Sequence, residues 1–164
     1  MSDDANNQVI LDRIDRKILN EVMRDVTLPV SKLAERVGLS QTPCWKRVQK
    51  LEAAGVITGR VALVSPQKIG LGLTVFVEIE AADHTPAWRA TFVDVVAGYP
   101  QILEIHRMAG DVDYLLKVIV ADMQAYDAFY LDLTRRLACR NVTSKFSIEP
   151  IKSTTLLPID TTTA

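Results

Sequence analysis

"VSKLAERVGLSQTPCWKRVQKLEAAGVI", Val30 to Ile57, holds two helical patterns separated by Gly38-Leu39-Ser40. In the first, Ser31 is the expected N-cap, Leu33, Ala34 and Val37 form the apolar face, and Gly38 supplies the stop. In the second, Ser40 or Thr42 can cap, and Pro43 falls in the first turn, where a missing N–H is tolerated. Cys44, Val48 and Leu51 recur at i, i+4 and i+7 and share one inward stripe, which Leu39 completes. Cys44 therefore reads as a small buried hydrophobe rather than a reactive thiol. A helix, a short turn containing glycine and a second helix are the local signature of a helix-turn-helix.

The stripe fixes what the other side presents. Thr42, Lys46, Gln49 and Lys50 project away from it, with Trp45 and Arg47 on the two flanks. No acid occurs between Gln41 and Leu51. The net charge of the whole chain is −1, yet Met1 to Val64 holds 10 Lys+Arg against 8 Asp+Glu, and Ser65 onward 9 against 12. A phosphate backbone feels the local charge, because screening limits exposed charges to a reach of about 10 Å. A solvated basic helix face is the plain alternative. Ser40, Gln41, Thr42, Trp45, Lys46, Arg47, Gln49 and Lys50 are the candidate DNA contacts, with Thr42 and Gln49 as base readers. Trp45 either packs on the first helix of the chain or lies against a sugar-phosphate chain.

Outward from this stretch, "LDRIDRKILNEVMRD" repeats apolar residues at helical spacing (Leu11, Ile14, Ile18, Leu19, Val22), with Asp12 or Asp15 favouring the helix start. After Gly55, "VITGRVALV" alternates as a strand pair, or as one strand bent at Gly59. It makes either a wing or an arm that pairs with another subunit. At 164 residues, 48% hydrophobic and 24% charged, the chain suits a soluble protein of one domain or two small ones. The apolar runs fall short of a membrane span, and the polar, acidic start is unlike a secretory signal, so a cytoplasmic protein is expected. Cys44 and Cys139 have no metal-type spacing; neither a disulfide nor a metal or cofactor is expected.

Past Pro66 the period changes. "LGLTVFVEIEAA" reads as a strand over about Leu71–Ala81, followed by a helix with Trp88, Phe92, Val95 and Val96 inward. "QILEIHRMAG" reads as a second strand, with Ile102, Glu104, His106 and Met108 on one face and Leu103, Ile105 and Arg107 on the other. A third strand, "DYLLKVIVAD", precedes a long helix burying Met123, Tyr126, Phe129, Tyr130, Leu133 and Leu137, and "VTSKFSIEPIKST" closes the order. Strand, helix, strand, strand, helix, strand is the ferredoxin-like βαββαβ plan, and the whole chain is α+β. Both helices cover one sheet face. The other, expected to carry Val, Phe, Ile and Leu, should pair with a second copy of the chain.

No catalytic set is evident: His84 sits in a loop and His106 in a strand, without a nucleophile motif nearby. The turn "MAGDVDY" contains a glycine that lets backbone N–H groups approach a ligand, and Asp111 and Asp113 can accept from an ammonium group. Met108, Ala109, Gly110, Asp111, Asp113 and Tyr114 are the candidate ligand residues; an ordinary polar turn is the alternative.

The wording "LDRIDRKIL", "KLAERVGLSQTPCWKRVQKLEAAGVITG" and "AGDVDYLLKV" strongly resembles the Lrp/AsnC family of bacterial and archaeal transcription regulators, across about Leu11 to Leu157. The resemblance implies a winged helix-turn-helix over residues 1–60, a linking strand over 61–69 and a ferredoxin-like effector and oligomerisation domain over 70–164. It implies a homodimer on a pseudo-palindromic double-stranded DNA operator, assembling further to a tetramer or octamer. An amino-acid effector would lie between dimers near Gly110, Asp113 and Tyr114. "TPCWKR" resembles a subgroup that includes regulators of cysteine breakdown and detoxification, which suggests cysteine or a related amino acid as effector. An amino-acid-sensing module without DNA-sequence preference is the competing reading; an enzyme using His106 with Asp111 or Asp113 is a more distant one.

Overall fold

Asp12 starts the first helix. Its carboxylate accepts from the Asp15 N–H at 2.8 Å while the Asp15 side chain accepts from the Asp12 N–H at 3.3 Å, a reciprocal capping box. In the computed structural model, which describes residues 9–162, α1 then runs Arg13–Arg24, α2 Val30–Val37 and α3 Gln41–Ala53. Helix α2 begins two residues earlier than the serine signal suggests: Pro29 is its cap, no side chain caps it, and Ser31 lies inside the helix. Gly38 ends it with φ +76°, and the Leu39 N–H returns to the Ala34 carbonyl at 2.9 Å. Ser40 then caps α3 by backbone position, with Pro43 in the first turn. The three helices enclose Ile18, Leu19, Leu33, Ala34, Val37, Cys44, Val48 and Leu51.

No strand forms over residues 56–64. Val61, Leu63 and Val64 stand exposed instead, because a strand needs a ladder partner and none is present within the described residues of the single chain. Residues up to Leu63, together with those from Lys152 onward, form one unit, and Val64–Ile151 the other. The C-terminal segment, which the sequence alone would leave with the second domain, packs Ile159 against the helical core, and Arg16 donates to the Asp160 carbonyl at 3.4 Å.

The second unit is built on β1 (Leu73–Ala81), α4 (Pro86–Ala97), β2 (Ile102–Arg107), β3 (Tyr114–Val120), α5 (Met123–Arg136) and β4 (Cys139–Phe146). The sheet order is β2-β3-β1-β4, with every pair antiparallel. Alternation along β1 sends Val75, Val77, Ile79 and Ala81 inward against Trp88, Phe92, Tyr126, Phe129 and Leu133 of the two helices. Met123, expected inside, is 57% exposed at the first position of α5. Strand β4 starts earlier and stops at Phe146, opposite Val75, because β1 has only two more residues to offer as partners.

Two expectations about faces change. A register shift between Ile102 and Glu104 places Ile102 opposite Val118 on the helix side, with Ile105 and Arg107, while Glu104 and His106 lie on the other face. The helix-free face is also less apolar than expected. Its valines all point inward, leaving Phe76, Leu115 and Ile119 among paired charges: Glu78 with Lys145, and Glu104 with Lys117 at 2.7 Å and His106 at 3.1 Å.

Candidate functional site

Burial of Cys44, Val48 and Leu51, each at 2% exposure or less, fixes the rotation of α3. Ser40, Gln41, Thr42, Lys46, Gln49 and Lys50 are consequently all exposed, as is Trp45 at 41%. Trp45 is not among the side chains that pack on the helical core. Thr42, Lys46 and Gln49 lie opposite the buried stripe, and Lys50 sits beside them. Neither lysine forms an ion pair with a described residue, whereas Arg36 is held by Glu21 at 2.8 Å and Arg60 by Glu52 at 2.6 Å. The arrangement is an exposed surface whose hydroxyl, amide and ammonium groups suit a polyanion.

Arg47 stands apart from this set. Only half-buried, it turns back towards α1, and its Nη1 donates to Asp12 Oδ2 at 2.6 Å and to Asp15 Oδ1 at 2.7 Å. The hydrogen bond to Asp12 leads the causes that push the guanidinium further up. Asp12 itself is held below the usual carboxylate range, first by the Asp15 N–H, against some desolvation, and then by Arg47. The signal was in the spacing: Arg47 is three residues after Cys44 and four before Leu51, on the margin of the buried stripe.

In the second unit, the turn after β2 is closed by the Met108 N–H donating to the Asp113 carbonyl at 2.9 Å. Gly110 has φ +130°, a conformation that favours glycine. Met108, Ala109, Gly110 and Asp111 are exposed. Asp113 is committed to the fold: its Oδ2 accepts from the Ala81 N–H at 2.8 Å and its own N–H donates to the Ile79 carbonyl at 3.0 Å. Its Oδ1 lies 3.6 Å from His84 Nδ1. Tyr114 is buried, stacked on Phe92 with centroids 4.1 Å apart.

Beside this turn a cavity of about 550 Å³ is lined by His84, Arg89, Asp94, Arg107, Asp113 and Tyr114, among others. Of the six candidate ligand residues it brings together two, Asp113 and Tyr114; Met108 to Asp111 stay outside its wall. Sequence reasoning missed His84, Arg89 and Asp94. Antiparallel pairing of Ile79 with Tyr114 carries the segment after β1 to the start of β3, and that register was not readable beforehand. Charges of both signs on the wall suit a zwitterion. Among the described residues no group of three His, Cys, Asp or Glu side chains converges to hold a metal, and no helix is long and apolar enough to cross a membrane.

Known proteins share this arrangement. Residues 11–58 match the family model for a winged helix-turn-helix DNA-binding domain, and residues 74–157 that for the Lrp/AsnC ligand binding domain. The DNA-binding transcriptional activator DecR of Escherichia coli is 50% identical over 152 residues, covering 92% of this chain and 100% of that protein. The glutamate uptake regulatory protein of Zymomonas mobilis is 45% identical, over 93% of each chain. An AsnC family transcriptional regulator from Agrobacterium tumefaciens superposes with a TM-score of 0.88 at 50% identity, covering 93% of this chain and 100% of that one. A Neisseria meningitidis transcriptional regulator, solved as its L-Met complex, also gives 0.88, at 35% identity over 92% and 98% of the two chains.

Proposed function

Because the chain belongs to the Lrp/AsnC family of DNA-binding transcriptional regulators, we propose that it reads a pseudo-palindromic operator as a homodimer whose two α3 helices enter successive major grooves. The observation that carries this reading is the exposed face of Thr42, Lys46, Gln49 and Lys50 opposite a fully buried stripe. Lys46 and Lys50 supply phosphate contacts; Thr42 and Gln49 read base edges, with Ser40, Gln41 and Trp45 at the entry end of the helix. Dimers form through the helix-free sheet face at Phe76, Leu115 and Ile119, and gather to tetramers or octamers.

The effector in this reading is a small amino acid at the turn of Met108, Ala109, Gly110, Asp111, Asp113 and Tyr114, between dimers. Support comes from the ligand binding domain match over residues 74–157, the glycine conformation at Gly110 and the mixed charges of the adjoining cavity. Cysteine is the effector to test first, on the resemblance of the "TPCWKR" wording. Fluorescence anisotropy at physiological salt, comparing DNA upstream of the protein's own gene with a shuffled fragment, tests the DNA reading. A panel of cysteine, methionine, glutamate and leucine then tests the effector: cysteine should move the operator affinity by about fivefold or more. Binding of an amino acid without any preference between the two DNAs would favour the sensing-module reading.

A further inference from the structure

Arg47 is the one basic residue of α3 whose surroundings are carboxylates. A single guanidinium nitrogen bridges Asp12 at 2.6 Å and Asp15 at 2.7 Å, and both acids belong to the capping box that starts α1. Asp15 is 3% exposed, the sole buried charged residue among those described. Removing its counter-charge would leave a carboxylate stranded in a poorly hydrated site. Two acids against one base also leave the cluster net negative, which repels a phosphate at this point of the surface. Lys46 and Lys50, one residue before and three after, carry no such partners among the described residues.

We propose that Arg47 is a positioning residue for DNA reading: it locks the middle of α3 to the first turn of α1, so that Thr42, Lys46 and Gln49 reach the groove in one fixed register, and it makes no phosphate contact of its own. Both carboxylates are reached by Nη1, at the far end of a side chain one atom longer than lysine's, so a lysine ammonium would fall short of the same position. The inference rests on the DNA-reading face proposed above.

The test is anisotropy titration of operator and shuffled DNA across a salt series, with the wild type and the Lys50→Ala, Arg47→Met and Arg47→Lys variants. Each is compared at a temperature where its circular dichroism shows it folded. Arg47→Met is expected to lose about tenfold or more in preference for operator over shuffled DNA while keeping the wild-type salt slope; Lys50→Ala, which removes one phosphate contact from each protomer of the dimer, should lower that slope by about 1.8. Should Arg47→Met fail to fold, Arg47→Lys decides: positioning predicts lost preference with the slope retained. Preference and slope both retained in Arg47→Lys would overturn the inference, as would a slope lowered by about 1.8 in Arg47→Met. A wild type that binds both DNAs alike would instead sink the DNA reading itself, and this inference with it.

Discussion

At the scale of single residues, α3 separates buried side chains that hold the fold from exposed ones that, in the proposed reading, meet DNA. Lys50 belongs to the second group, and Lys50→Ala is expected to weaken operator and shuffled DNA similarly with little effect on melting, since it removes counterion release and no packing. A melting point several degrees lower would contradict that assignment. Cys44 belongs to the first group: it is fully buried, and burial pushes its thiol up. Cys139 is half-buried, and desolvation pushes its thiol up to about 11. At neutral pH both are therefore expected to react slowly with iodoacetamide and to label promptly only in denaturant. Rapid labelling of Cys44 in the native protein would place it outside the core.

At the scale of elements, helix ends carry the information that strands lack. Gly38 ends α2 in a left-handed conformation, and a Cβ at this position would meet nothing within 4 Å. Gly38→Ala therefore costs backbone strain alone, about 1 kcal/mol, read as a lower melting temperature of the helical unit. The start of α1 adds a pH dependence. Asp12 is held below its usual range, so its contribution to stability is fully present above the ordinary carboxylate value and is lost as the pH falls through the lowered one. Asp12→Asn should therefore flatten the acid limb of the melting profile below about pH 4; an unchanged limb would show that another carboxylate governs it. Helix caps and buried stripes were legible because they repeat every few residues. The β2 register was not: one extra residue near Leu103 reverses the face of Ile102, and alternation alone carries no sign of it.

At the scale of the whole molecule, the order of strands and helices was readable from the change of period at Pro66, and the family resemblance rested on two motifs in the right sequence. Which side chains line the cavity was not readable, since only strand pairing brings His84 to Asp113 and both to one wall with Arg107. In the proposed assembly, the exposed Val61, Leu63 and Val64 and the central Phe76 and Leu115 of the helix-free face are the surfaces offered to a second copy. Introducing Phe76→Glu together with Leu115→Glu should shift sedimentation from dimer or larger to monomer, and weaken operator binding by losing the paired helices. Unchanged assembly would move the interface elsewhere. The central claim is that this chain reads DNA sequence, and its most direct test is wild-type anisotropy on DNA from upstream of its own gene against a shuffled fragment at physiological salt. A preference of about a thousandfold or more is the predicted result; equal affinity for the two fragments, with each protomer folded, would contradict it.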